Sequence, residues 1–323
     1  MDFENKKVLV RLDLDVPIKY GKIEDNRLQA GLATLYSLKD KAKQIIILGH
    51  MGRPEGPDES LSTKQLLPWF QEKLSEVEFY DNFENFPTSK IVLFENLRFW
   101  EGEQKNDPEF VKQLASLGEV FVNDSFAVSH RESASIVGLP AILPSELGEQ
   151  FKKEIENLSK VFDNPARPVM VTLSGVKDDK LTYIDSFKEK ADKILVAGRL
   201  GEYLGEDFKD PKTEVARLIQ DKEDITIHSI ESFESILSSA KTILVSGPMG
   251  KFEEEGHRLG TERVFRKIAE NEEAFKVAGG GDTEHALEMF GIKDKFNWVS
   301  TGGGAMLEFL ANGTLPGLAA IKK

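Results

Sequence analysis

Runs of consecutive apolar residues recur along the whole chain: residues 7–12, 44–48, 90–94 and 119–122 in the first half, and 168–173, 193–197, 242–245 and 275–278 in the second. Apart from the first, they are almost uninterrupted. Parallel strands covered on both faces show this pattern, whereas half-exposed strands alternate. Between the runs, apolar positions return with helical spacing, as over residues 62–74 and 261–270. Strand alternating with helix from end to end predicts an α/β protein of two doubly wound, Rossmann-like parallel-sheet lobes. The pattern from Glu146 to Leu158 reads as one helix, which Asp163-Asn164-Pro165 stops, so residues 146–162 are expected to be a hinge helix. That divides the chain into a first domain over 1–145, a second over 163–311 and a tail over 312–323.

Two glycine triplets add chemistry to this frame. Val277-Ala278-Gly279-Gly280-Gly281-Asp282-Thr283 and Ser300-Thr301-Gly302-Gly303-Gly304-Ala305 share one grammar: an extended approach, three glycines, then a helix-compatible segment. Glycines let the backbone approach a ligand and aim several N–H groups at one spot. A helix N-terminus directly behind them adds partial positive charge, so the pair reads as two anion sites for one polyphosphate. Asp282 supplies a hard oxygen for a Mg²⁺ carried on that polyphosphate. Two glycine turns of an ordinary α/β protein would share the grammar; the pairing and the aspartate favour phosphate.

Composition narrows the partners. With 42 basic against 55 acidic residues the net charge is −13, which argues against nucleic acid or an anionic membrane as the main partner. No cysteine is present, which excludes disulfides, thiolate metal sites and cysteine nucleophiles. No apolar run approaches a membrane span, and Met1-Asp2-Phe3-Glu4-Asn5 opens with acids where a signal peptide has bases, so a cytoplasmic protein is expected.

Further motifs then stand in order: Val10-Arg11-Leu12-Asp13-Leu14-Asp15-Val16-Pro17, Asp25-Asn26-Arg27, Gly49-His50-Met51-Gly52-Arg53-Pro54, Glu95-Asn96-Leu97-Arg98-Phe99, Val122-Asn123-Asp124-Ser125-Phe126 and His130-Arg131. Gly175-Val176-Lys177, Gly247-Pro248-Met249-Gly250 and Phe252-Glu253 follow, with the two triplets. With these the chain resembles the phosphoglycerate kinase family from end to end. The resemblance implies phosphoryl transfer between 1,3-bisphosphoglycerate and Mg-ADP, giving 3-phosphoglycerate and ATP, with Mg²⁺ as cofactor and a monomer as the working form. Such transfer needs positioning and charge neutralisation more than covalent chemistry. It further implies that Arg27 lies beside the transferring phosphoryl group, that His50, Arg53, Arg98 and Arg131 grip the triose acid, and that Asp13 and Asp15 order its hydroxyl side. His130 would merely support Arg131. In the second half, Lys177 would neutralise the transferring phosphate, Lys180 the nucleotide's phosphates, and Glu253 would bind the ribose. Gly279, Gly280, Gly281, Asp282 and Thr283 would hold the Mg-nucleotide, and the helix behind Gly303 and Gly304 would stabilise the transition state. The tail would return to the first lobe.

The chain also departs from the family, mostly around the nucleotide. Asp15 stands where the family usually has asparagine, Ser246 replaces the asparagine before Gly247-Pro248, and bulky Arg199 replaces a small residue in the run lining the adenine pocket. One residue is missing between Lys177 and Lys180, which on an α-helix turns the second by about 100° relative to the first. A block of the family pattern is absent, and it is expected to fall between His228 and Ile230. Two readings follow: a shortened working kinase, or a protein that binds the triose acid but has lost productive nucleotide binding. A dinucleotide-dependent dehydrogenase is excluded, since no strand leads into a Gly-x-Gly-x-x-Gly run with a suitably spaced acid.

Overall fold

The computed structural model describes residues 1–205 and 208–321. It divides into two compact units, one of residues 1–154 with the chain from Thr314 onward, the other of residues 155–313.

The first unit contains β1 (Lys7–Arg11), a short hairpin β2 (Ile18–Lys19) and β3 (Lys22–Ile23), β4 (Gln44–Leu48), β5 (Val77–Tyr80), β6 (Ile91–Phe94), β7 (Val120–Asn123) and β8 (Ser145–Leu147). Its helices are α1 (Asn26–Lys39), α2 (Leu67–Leu74), α3 (Glu101–Lys105), α4 (Pro108–Ala115), α5 (Leu139–Ile142) and α6 (Glu149–Ser159), the last crossing into the second unit. Outside the hairpin the strands form one parallel sheet in the order β5-β6-β4-β1-β7-β8. Ile45, Ile46, Ile47 and Leu48 are fully buried, as the unbroken apolar run requires. Local chemistry sets where α4 starts: the Asp107 carboxylate caps it by accepting from the N–H groups of Glu109 (3.1 Å) and Phe110 (2.9 Å), with Pro108 in the first turn.

The second unit contains β9 (Val169–Gly175), β10 (Lys193–Gly198), β11 (Thr213–Val215), β12 (Thr242–Ser246), β13 (Phe275–Gly279) and β14 (Trp298–Ser300). They pair in parallel in the order β11-β10-β9-β12-β13-β14. The helices are α7 (Ile184–Lys190), α8 (Leu200–Leu204), α9 (Ile227–Leu237), α10 (Leu259–Glu270), α11 (Gly281–Met289) and α12 (Gly303–Asn312). After α12 the chain forms α13 (Pro316–Ile321) on the first unit, where Leu315 and Leu318 are buried and the Gly317 N–H donates to the Ser129 carbonyl at 2.9 Å. No helix among the described residues is long and apolar enough to cross a membrane.

Two local expectations are corrected. Glu146 and Leu147 are not helical: they lie in β8, paired with Val122 and Asn123, and α6 starts only at Glu149. A side chain just past the end of β7 sets that start. The Asp124 carboxylate fills the space beside Gly148, where a Cβ would come within 2.3 Å of it, and accepts from the Phe151 N–H at 2.9 Å. The segment at 62–74 is likewise not one α-helix: Thr63–Leu66 is a 3₁₀ turn and the α-helix begins at Leu67.

Candidate active site

In both sheets the chain reverses direction of travel beside the first-laid strand, β1 or β9, and the residues singled out by motif follow the carboxyl ends of the strands. Open α/β sheets place their ligands there.

In the first unit β1 ends in Arg11, a fully buried arginine that follows the apolar Val8-Leu9-Val10. Its Nε donates to Ser135 Oγ at 3.0 Å, and its Nη2 lies 2.8 Å from His50 Nδ1. Ser135 sits on a single π-helical turn, Ala134–Gly138, and passes the network to buried Glu103, whose carboxylate accepts from its hydroxyl (2.6 Å) and N–H (3.0 Å). Burial, with Arg11, Arg98, Arg131 and Arg27 nearby, holds His50 well below the usual histidine range. His50 is therefore neutral at pH 7. Arginine can only donate, so Nδ1 accepts and the imidazole proton sits on Nε2. That nitrogen lies 4.0 Å from Asp15 Oδ2, beyond hydrogen-bond reach.

The arginines crowd one another. Burial pushes the Arg98 guanidinium down to about 10, and the charges of Arg11 and Arg131 add to the shift. Its Nη1 donates to the Gly52 carbonyl at 2.5 Å. Arg27 Nη1 donates to the Asp15 carbonyl at 2.7 Å, and the Asp15 carboxylate accepts from the Gly52 N–H at 2.8 Å. Asp13 is buried, accepting from the Ser125 hydroxyl and the Ala127 N–H, and burial raises its pKa. Its carboxylate is thus spent on the loop after β7. Arg53 and Arg131 are exposed, and Arg53 makes no hydrogen bond or ion pair among the described residues. The structure therefore brings His50, Arg27, Arg98 and Arg131 around one point and adds Arg11. The motif reading gave Arg11 no role, although its signal was present as a charge inside a strand.

In the second unit a cavity of ≈ 570 Å³ opens at the carboxyl ends of β9, β10, β12 and β13. Helices α11 and α12 begin at its wall, at Gly281 and Gly303, directly behind the two glycine runs. The runs touch: a Cβ on Gly303 would lie 2.7 Å from the Gly280 Cα, so only glycine fits. Gly247 has φ +97°, and a Cβ there would come within 2.1 Å of the Ser174 carbonyl oxygen. Thr283 holds these turns together, its hydroxyl donating to the Gly279 carbonyl (3.1 Å) and accepting from the Gly247 N–H (2.9 Å). Gly279, Gly280, Asp282, Glu253 and Gly304 also line the cavity.

The two lysines separate. Residues 178–183 form a 3₁₀ helix preceded by extended Lys177, so the α-helical rotation expected between the lysines does not apply. Lys180 lines the cavity, its Nζ donating to the Ser174 carbonyl at 2.5 Å and the Ser246 carbonyl at 3.3 Å, and burial lowers its pKa to about 8. Lys177 is exposed and is not among the residues lining the cavity.

The family model for phosphoglycerate kinase matches residues 1–206 and 203–313. The two matches meet at 203–206, so the break in the family pattern falls there and not between His228 and Ile230 as expected. Phosphoglycerate kinase of Dictyoglomus turgidum is 34% identical over 382 aligned positions, covering 99% of this chain and 96% of that protein. An alignment of 382 positions on 323 residues leaves at least 59 without a residue here, which measures the shortening. The Thermosipho africanus phosphoglycerate kinase is 36% identical, with 99% of this chain and 96% of the relative covered. Among solved structures, phosphoglycerate kinase from Pyrococcus horikoshii superposes with a TM-score of 0.84 at 30% identity, over 100% of this chain and 97% of that one. The phosphoglycerate kinase from Coxiella burnetii gives 0.83 at 28% identity, over 100% and 97%. With the model matching nearly the whole length and relatives this similar over it, the chain belongs to the phosphoglycerate kinase family.

Proposed function

We propose that this chain transfers the acyl phosphate of 1,3-bisphosphoglycerate to a nucleoside diphosphate, ADP in the family, and runs the reverse reaction with 3-phosphoglycerate and ATP. The bond from the phosphorus to the carboxyl oxygen breaks, the bond to the terminal oxygen of ADP forms, and the carboxylate leaves. The observation that carries the reading is the crowding of Arg11, Arg98 and Arg131 around a neutral His50. Mutually repelling cations in a partly buried site are relieved by a multiply charged anion, and guanidinium forks match phosphate and carboxylate.

In this reading Arg27, Arg53, Arg98 and Arg131 hold the triose acid, with His50 offering a neutral N–H donor, while Asp13 and Asp15 order the loops that carry them. The cavity of the second unit takes the nucleotide's phosphates on the N–H groups of Gly279–Gly281 and Gly303–Gly304, with Lys180 beneath them and Glu253 toward the ribose. Lys177, exposed before the 3₁₀ helix, is free to reach the phosphoryl group in transit. Mg²⁺ fits Asp282, a carboxylate on the cavity wall in the first turn of α11 that offers one hard oxygen; phosphate oxygens and water would complete its shell. Bound there it would neutralise charge on the polyphosphate. Transfer between ligands carried on different units requires closure about α6. A protein that only binds the triose acid would have no use for the glycine walls or for a half-buried lysine beside them.

The test is phosphoryl transfer from Mg-triphosphate to 3-phosphoglycerate, followed through a coupled dehydrogenase. Turnover is expected. Binding of 3-phosphoglycerate without turnover on any triphosphate would replace this reading with the binding-only one.

A further inference from the structure

The phosphate walls occupy only one end of the cavity in the second unit. Its other end, past the carboxyl terminus of β10, is lined by Gly198, Arg199, Lys222 and Glu223. From β13 to β10 is three strand spacings, ~14 Å. A nucleotide whose polyphosphate lies at the glycine runs therefore brings its base to Arg199 and Glu223.

This end is charged and ordered. Gly198 has φ +58°, and a Cβ there would lie 2.7 Å from the Gly175 carbonyl oxygen, while the Arg199 N–H donates to that same oxygen at 2.9 Å, so the backbone carrying Arg199 is pinned. The Arg199 Nε donates to Glu202 Oε2 at 2.7 Å, and Lys222 Nζ donates to Glu202 Oε1 at 2.6 Å. This engages the guanidinium through Nε alone and leaves both its terminal amino groups without a hydrogen bond among the described residues. Glu223 is held by its backbone, whose carbonyl accepts from the Lys251 N–H at 2.8 Å, while its carboxylate makes no hydrogen bond or ion pair among the described residues. The base end thus presents a two-pronged donor next to an unused acceptor.

That pattern has a complement. A 6-oxopurine shows two acceptors on one edge, O6 and N7, and a donor at N1, joined in guanine by the amino group at C2. Adenine shows N7 beside a donor amino group, which would face the donors of Arg199. Resting on the reading of this cavity as a nucleotide site, we propose that Arg199 and Glu223 determine base choice, and that guanine nucleotides are bound at least as well as adenine nucleotides. Arg199 reads O6 and N7; Glu223 reads N1–H.

The experiment is calorimetric titration of the full chain with Mg-GDP, Mg-IDP and Mg-ADP, in the wild type and in the Arg199→Met and Glu223→Gln variants. Turnover is measured in parallel with GTP, ITP and ATP. Both side chains lie at the cavity rim, and circular dichroism checks that the variants fold. GDP and IDP are expected to bind no more weakly than ADP. Arg199→Met is expected to weaken GDP and IDP at least about fivefold while changing ADP less than twofold. Glu223→Gln should weaken GDP and IDP together. Wild-type binding of ADP more than twofold tighter than GDP overturns the proposal, as does an Arg199→Met effect equal for all three nucleotides, which would make Arg199 a rim ion pair only. Failure of the kinase reading looks different: no turnover with any triphosphate, whatever the order of binding.

Discussion

Replacing Lys180 with methionine separates what this lysine costs the fold from what it does for the ligand. Its ammonium is half-buried against the carbonyls of Ser174 and Ser246, and desolvation holds its pKa at about 8 instead of 10.5. The native state therefore sheds this proton earlier than the unfolded chain does. Native charge is complete below about 8 and is lost as pH rises through it, so wild-type stability rises relative to Lys180→Met between about 8 and 10.5. A shift of about 2.5 units corresponds to about 3 kcal/mol over that window. The ligand experiences the opposite trend. A charge-assisted hydrogen bond to a phosphate is worth about 1.5–3 kcal/mol, so Lys180→Met should weaken Mg-ADP about 10- to 150-fold at pH 7. Wild-type affinity should fall by about tenfold from pH 7 to 9 as the ammonium deprotonates, while the variant stays flat. Isothermal titration at several pH values, with Lys177→Met as comparison, gives both numbers. Wild-type affinity that does not change up to pH 9, or a variant within twofold of wild type, would refute the placement of Lys180 under the phosphates.

Asp282→Asn should abolish most of the tightening of ADP binding by Mg²⁺ and leave 3-phosphoglycerate binding unchanged; titrations with and without the metal decide, and an undiminished Mg²⁺ effect would remove Asp282 from the metal's shell. Asp124 is held at about 7, chiefly by burial, so its native proton persists where the unfolded chain has lost it. The ionised form costs stability, and the cost grows from about pH 4 to 7 and is constant above; Asp124→Asn should gain on wild type over that range, on the order of 4 kcal/mol, in urea unfolding at pH 4 and 8. A pH-independent difference would contradict this. Gly303→Ala forces a Cβ to within 2.7 Å of the Gly280 Cα, backbone against backbone, and should lower stability by about 1–3 kcal/mol. Gly304→Ala, whose Cβ meets nothing within 4 Å, should melt like wild type; equal melting of the two variants would mean the glycine runs do not touch in solution.

The doubly wound sheets were legible because most central strands are built on a buried apolar run, as at residues 45–48 and 243–245. Short strands carried no such signal. Ser145–Leu147 is three residues long, and its Glu-Leu step continues the amphipathic pattern of the following helix; only pairing with β7 and the Asp124 side chain just beyond that strand separate them. The glycine runs stood out because close backbone approach leaves no choice of residue. Arg11 escaped because a motif shows which residues stand together but not which are buried, and its partners His50 and Ser135 lie 39 and 124 positions away. The spacing of Lys177 and Lys180 misled for the opposite reason, an α-helix having been assumed where the chain makes a tighter 3₁₀ turn.

The return of the chain from Thr314 to the first unit makes the second unit an insertion, tethered at both ends to the body it interrupts. Synthesis runs from the N-terminus, so the first sheet can pair while the ribosome is still making the second. Yet the surface that receives Leu315 and Leu318 stays uncovered until nearly all of residues 155–313 have been made. The body that begins folding first is completed last, and that uncovered apolar seat is where a chaperone would have longest to act.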